Sequence, residues 1–254
     1  MTHFTRIVRG ATVALLTSGF LTGTAIAQDV ALKVGSTPSG VPFTFLDVKT
    51  NQISGVMVDI ITAIGEAEGF TPEVEATQWS ALIPSLTSGK IDIIAAAMYA
   101  TEERAKVVAF SDPVYTYGEG LFVKNDDTGT YKSLDDLDGK VAGAQVGTAY
   151  IEPLKASGKF KEVKVYDTIA DIMRDVSLGR IDAGFGDRPI VAYQLSQGAS
   201  DVRLVQEYES QVTGSVAIAV RQDDTELLAK INAGLAMLKE SGKLDEIVAK
   251  WGIN

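Results

Sequence analysis

A twelve-residue pattern that occurs twice sets the strongest limit on how this chain can fold. "SLTSGKIDIIAA" (Ser85 to Ala96) and "DVSLGRIDAGFG" (Asp175 to Gly186) each read as a helix ending at glycine, then a basic residue, Ile-Asp, and a small apolar strand. Gly89 and Gly179 suit a left-handed helix C-cap, and Asp92 and Asp182 suit the turn that follows. Any helix-to-strand turn looks much like this in isolation, but here both copies stand in the same order of elements. The first copy is preceded by the strand "VALKVG", a helix with the apolar face Val56, Ile60, Ile61 and Ile64, the strand "TPEVEAT" and the helix "WSALIPSLTSG". Its strand "IDIIAAAM" closes that unit. After residue 125 the alternation returns as "KVAGAQ", a helix from about Thr148, "KEVKVY", the helix "IADIMRDVSLG" and the strand "RIDAGFGD", with a last helix near Pro189. Such alternation specifies α/β.

Two similar halves imply two lobes. The runs "YGEGLFVK" (Tyr117 to Lys124) and "GSVAIAVR" (Gly214 to Arg221) bracket the second half as crossover strands. The closing "ELLAKINAGLAMLKESGKLDEIVAKWGIN" reads as two amphipathic helices returning to the first lobe. The expected division is therefore a discontinuous first lobe of residues 28–118 and 217–254, with a second lobe of residues 119–216 inserted in it.

The amino terminus reads as a cleavable export signal over residues 1–27: Arg6 and Arg9 form the basic region, "ATVALLTSGFL" the apolar core, and Ala25-Ile26-Ala27 the cleavage site. That core is broken by Thr, Ser and Gly and falls short of the roughly 20 residues a membrane span needs. Removing residues 1–27 from 254 leaves 227, and the loss of two arginines takes the formal charge from −10 to −12. So acidic a chain is a poor partner for nucleic acid, whose affinity comes from clustered Lys and Arg. There is no cysteine, hence no disulfide and no thiolate chemistry, and the single histidine, His3, lies inside the signal. That leaves neither a Ser-His-Asp nor a Cys-His arrangement and no His/Cys metal site, so no metal or cofactor is expected. An exported, cysteine-free protein fits a free existence in a Gram-negative periplasm.

In open α/β sheets ligands bind beyond the carboxyl ends of the strands. After the first copy's strand come Thr101 to Arg104, and after the second come Asp187, Arg188 and Pro189, so opposite charges hold equivalent places in the two lobes. Thr101 suits an N-cap, which puts the cation Arg104 in a first helical turn where the backbone favours an anion. Two answers fit: a salt bridge, as with Glu102 or Glu103, or a bound anion held by the guanidinium fork and helix N–H groups. Asp187 likewise has two readings, a ligand contact or a cap of the helix near Pro189 paired with Arg188.

With these landmarks, the chain resembles the family 3 periplasmic solute-binding proteins, the polar amino-acid-binding components of ABC importers. The resemblance spans almost all of the sequence after residue 27 and rests on "VPFTF", "GVMVDIITAI", "WSALIPSLTSGKIDIIAAAMYATEERAKVVAFSDPVY", "VGTAY", "GRIDAGFGD" and "LKESGKLDEIVAKW" in order. It implies a type II periplasmic binding protein fold, each lobe an open sheet flanked by helices, joined by two hinge crossovers. It implies a monomer that captures a zwitterionic amino acid or derivative and delivers it to an inner-membrane permease.

Position by position, the resemblance gives Arg104 the ligand carboxylate and Asp187 the ligand ammonium. It places Trp79 over the ligand, Thr148 and Ala149 in the second-lobe loop that meets the carboxylate, and Gln145 toward the side chain. Ala96 and Ala97 stand where binders of basic amino acids carry serines, Tyr99 replaces a small residue, and Gly40 replaces a stacking aromatic. Trp79, Tyr99 and Gln145 also fit plain packing roles. Some relatives of this fold are periplasmic cyclohexadienyl dehydratases, a second reading that needs a general acid, for which Glu119 is the nearest candidate.

Overall fold

The structure, a computed structural model, describes residues 1–3, 30–198 and 201–253, so the expected export signal falls almost wholly outside the described residues. From Val30 the chain forms β1 (Val30–Ser36), a small antiparallel sheet of β2 (Ser39–Gly40), β3 (Thr44–Asp47) and β4 (Gln52–Ser54), then α1 (Val56–Glu68) and β5 (Phe70–Ala76). A 3-10 turn at Trp79–Ala81 leads into α2 (Leu82–Thr87), β6 (Ile93–Tyr99), a single turn α3 (Glu102–Ala105) and β7 (Val108–Phe110). The long β8 (Tyr115–Lys124) leads to β9 (Val141–Gln145), α4 (Ile151–Ala156), β10 (Glu162–Tyr166) and α5 (Ile169–Ser177). Next come β11 (Ala183–Asp187), α6 (Arg188–Ser196), β12 (Val202–Leu204) and β13 (Thr213–Arg221). The chain ends in α7 (Thr225–Glu240) and α8 (Lys243–Lys250).

The duplication is visible in the pairing. β1 lies parallel between β5 and β6, and β9 lies parallel between β10 and β11. β13 runs antiparallel beside β6, and β8 antiparallel beside β11. The two sequence-predicted crossovers, β8 and β13, then pair with each other from Tyr115 opposite Val216 to Gly118 opposite Thr213. Each crossover strand thus begins in one half and ends in the other.

The repeated Ile-Asp carries the same bond twice. The Asp92 carboxylate accepts the Lys33 N–H in the middle of β1 at 3.0 Å, and the Asp182 carboxylate accepts the Val141 N–H at the start of β9 at 2.7 Å. Gly89 (φ 73°) and Gly179 (φ 66°) take the left-handed caps their positions call for. Two helices begin differently from expectation. "WSALIPSLTSG" starts as the 3-10 turn, and the helix expected from about Thr148 starts only at Ile151. The Thr148 hydroxyl bonds back to the Gln145 carbonyl at 2.8 Å, a local turn that competes with helix.

The core of the first half holds the α1 face read from the sequence, Val56, Ile60, Ile61 and Ile64, together with Met57, all buried and packed with Ile231 and Leu235 of α7. Each such isoleucine contributes about 1.5–3 kcal/mol relative to an exposed position. A separate cluster in the second half gathers Leu121, Leu154, Phe185, Tyr150 and Tyr208. Both returning helices bury one face, with Leu244 and Ile247 of α8 joining the first-half core.

Candidate functional site

β6 delivers Arg104. Past Tyr99 the strand gives way to the single turn α3, where the Thr101 hydroxyl accepts the Arg104 N–H at 3.3 Å as the sequence led us to expect. Neither neighbouring glutamate meets the Arg104 cation, since Glu103 pairs with Lys106. Its guanidinium instead donates to the carbonyls of Tyr99 at 2.7 Å and Gly147 at 2.9 Å, and lies 5.5 Å from the Trp79 ring centre. Burial lowers its pKa from the ordinary arginine value, with Asp187 opposing. It remains a cation.

β11 delivers Asp187 from the other half. Asp187 caps no N–H of α6, and Arg188 spends its guanidinium on the carbonyls of Gln206 at 3.0 Å and Tyr208 at 3.3 Å, so the capping and pairing reading of Asp187 is not what the structure has. No ion pair joins Asp187 to Arg104 or to any other described residue. Burial pushes the Asp187 carboxyl up to about 7, against the opposing charge of Arg104 and the nearby Tyr117 hydroxyl.

β9 and the turn after it supply the facing wall. Gln145 donates its amide to the Asp167 carbonyl at 2.8 Å, Thr148 is committed to Gln145, and Gly147 (φ 71°) brings its carbonyl to Arg104. Ala97 is buried with φ 54°, and its carbonyl accepts the Tyr117 hydroxyl at 3.3 Å. Tyr99 sits beneath the crossovers: its hydroxyl donates to the Tyr117 carbonyl at 2.9 Å and its ring covers Gly214, where a Cβ would come within 2.2 Å. With Phe43, Tyr115 and Tyr117 it forms an aromatic cluster with ring centres 5.1–6.3 Å apart.

These residues enclose two small spaces. One, of about 10 Å³, is bounded by Arg104, Asp187, Trp79, Ala97, Tyr99, Thr148, Ala149 and Tyr150. The other, of about 20 Å³, is bounded by Gln145, Thr37, Ser39, Gly40, Phe43, Ala96, Ile169 and Ile190, with Trp79 and Asp187 walling both. Seven of the eight site residues read from the sequence therefore line the first space, and Gln145 lines the second. Tyr150, Thr37, Ser39, Phe43, Ile169 and Ile190 were missed. Tyr150 alone carried a signal, since it directly follows Thr148 and Ala149.

A larger hollow of about 470 Å³ opens between Pro42, Tyr115, Arg188, Tyr193 and Leu204. Its one charged group is Arg188, and no acidic side chain lines it to meet an ammonium. Among the described residues no cluster of His, Cys, Asp and Glu is placed to hold a metal, and no helix is long and apolar enough to cross a membrane.

Glu119 is unsuited to acid catalysis. It is fully buried, and its carboxylate accepts the Gln211 N–H at 2.7 Å, the Val212 N–H at 2.9 Å and the Tyr208 hydroxyl at 2.9 Å. Burial raises its pKa while those donors hold it down. A carboxylate so occupied and without exposed surface ties β8 to the segment entering β13.

Comparison with known proteins extends the picture over most of the chain. A profile described as bacterial extracellular solute-binding proteins, family 3, matches residues 32–254. The L-cystine-binding protein TcyJ of Escherichia coli (strain K12) is 30% identical over 222 residues, 87% of this chain and 82% of that protein. The putative ABC transporter arginine-binding protein 2 of the same strain is 32% identical over 242 residues, 94% of this chain and 97% of that protein. Among solved structures, a mutant of ArgBP from T. maritima superposes with a TM-score of 0.80 at 33% identity, covering 88% of this chain and 96% of that one.

Proposed function

The chain belongs to the bacterial extracellular solute-binding proteins, family 3, and from that premise we propose that it holds a zwitterionic amino acid between Arg104 and Asp187. It is an amino-acid-binding component of an ABC importer and not an enzyme. The observation that carries the ligand reading is a single one. Among the described residues lining the two spaces, Arg104 and Asp187 are the only charged side chains; they are opposite in sign, come from equivalent strands of the two halves, and do not pair with each other.

Arg104 offers the planar fork that matches a carboxylate, and Asp187 the acceptor that an ammonium requires. Trp79, Ala97, Tyr99, Thr148 and Ala149 close around that charged end, and Gln145 faces the side chain. With no third charge in the lining, the side chain it accepts is uncharged, since a buried cation such as a guanidinium would want a carboxylate of its own. The lobes are residues 28–118 with 217–254, and 119–216.

Spaces of about 10 and 20 Å³ hold at most one water each. Entry of an amino acid therefore requires the lobes to part, and β8 and β13 are the strands that would flex. Residues 1–27 direct export and are removed, and the protein works as a monomer in the periplasm of a Gram-negative cell, passing its cargo to an inner-membrane permease.

The test is a thermal-shift screen of the twenty protein L-amino acids and L-cystine on protein freed of ligand by unfolding and refolding. An uncharged amino acid should raise the melting temperature by mass action. If only arginine or lysine did so, the uncharged side chain would be wrong; if none did, the zwitterion reading would fall.

A further inference from the structure

Tyr150 is the least accounted-for group in the cleft. The residue is 1% exposed, its ring is rooted in the second-half core beside Leu154 and Phe185, and its hydroxyl is the sole buried side-chain N or O atom among the described residues that has no hydrogen-bond partner. Buried hydroxyls are nearly always partnered, because leaving one unpaired forfeits the hydrogen bonds that water would have given it. The same tyrosine borders the space that holds Arg104 and Asp187.

Asp187 stands beside Tyr150 but makes no bond to it, and the other polar neighbours are occupied. The Thr148 hydroxyl, close enough to favour the ionised phenol slightly, donates to Gln145 and does not complete a bond with Tyr150. The Tyr99 hydroxyl donates to Tyr117, the Tyr117 hydroxyl to Ala97, and the Glu119 carboxylate takes three other donors. Burial, with Asp187 beside it, drives the Tyr150 pKa well above the ordinary phenol value. The group is thus a neutral O–H, a donor in want of an acceptor.

Resting on the amino-acid reading above, we propose that the Tyr150 hydroxyl is a further binding residue, donating to the ligand's α-carboxylate alongside Arg104. At this end of the site an amino acid presents one ammonium and one carboxylate, and only the carboxylate can accept. An ammonium donating to the phenol oxygen would still leave the O–H unpaired. Since every amino acid carries the same carboxylate, Tyr150 strengthens binding without choosing among side chains.

Tyr150→Phe removes the hydroxyl and keeps the ring. Calorimetric titration of wild type, Tyr150→Phe and Arg104→Ala with each of the twenty protein L-amino acids and L-cystine separates the outcomes. The expected result is a loss of about 10- to 100-fold in affinity for Tyr150→Phe, the size of a hydrogen bond to a charged group, equal within about twofold for every amino acid that binds. Without any amino acid the variant should melt no lower than wild type, because no bond within the protein is lost. Unchanged affinity in Tyr150→Phe alongside loss in Arg104→Ala would overturn the role of Tyr150 and leave the amino-acid reading standing. A loss confined to certain side chains, or a lower melting temperature of the free variant, would also overturn it. Failure of wild type to bind any of the panel would remove the amino-acid reading and this inference together.

Discussion

Arg104 reaches across the cleft and donates to the Gly147 carbonyl at 2.9 Å, joining the end of β6 to the turn after β9. Its other terminal nitrogen holds the Tyr99 carbonyl at 2.7 Å, so the guanidinium is oriented before any carboxylate arrives. Preorganisation of this kind lowers the ordering cost of binding. We predict that Arg104→Ala reduces amino-acid affinity at least about 100-fold and that Arg104→Lys recovers little of it, because a point charge does not reproduce the fork. The fold should survive, since the two carbonyls released border the cleft. Calorimetry with a denaturation curve checks both, and normal binding by Arg104→Ala would remove it from the site.

In the proposed site, Asp187 would make binding depend on pH in a defined direction. Its carboxyl is raised to about 7 in the folded protein, above the roughly 4 of an unfolded chain. Between those values the folded state binds the extra proton, so Asp187 favours folding at low pH and that contribution is lost as pH rises through about 7. An ammonium requires the ionised form. Amino-acid affinity should therefore rise from pH 5 to about 7.5, with a proton released on binding near pH 6, read from calorimetry in buffers of different ionisation enthalpy. Asp187→Asn should abolish both effects.

The same residue tests the ligand's charge. Asp187→Asn should weaken a cognate amino acid by about 10-fold or more, and its des-amino analogue much less, since an amide still donates to a neutral oxygen. Equal losses for the two compounds would argue that no ammonium meets Asp187.

The spaces of about 10 and 20 Å³ describe a shut cleft. Free protein should sample a more open form, and small-angle scattering should give a smaller radius of gyration with a saturating amino acid than without. Identical radii would speak against movement about β8 and β13.

Gly214 lies under the Tyr99 ring with no room for a methyl group, a Cβ there meeting the ring at 2.2 Å. Gly214→Ala should cost about 1–3 kcal/mol of stability in a denaturant titration. A stability equal to wild type would mean that Tyr99 moves aside readily.

Legible in the sequence were the α/β alternation and the repeated helix-to-strand turn, but not the small sheet of β2 to β4 or the short strands β7 and β12. Gly89 and Gly179, Asp92 and Asp182, the α1 stripe, and the placing of Arg104 and Asp187 just beyond equivalent strands are local facts. Each follows from spacing within a few residues, which helix caps, strand periodicity and turn chemistry read directly. What only the tertiary structure decided is which side chains meet. Arg104 and Gly147 are 43 residues apart, Glu119 and Val212 are 93 apart, and the pairing of β8 with β13 sets where such distant groups fall. Glu119 looked available as an acid because nothing near it in sequence announces the two N–H groups and the phenol that occupy it. The Tyr150 hydroxyl's lack of a partner was not legible in the sequence, because it is a property of everything packed around it. A hydrogen bond needs its two atoms within about 3 Å and aligned, and a linear pattern does not encode that geometry between segments brought together by packing.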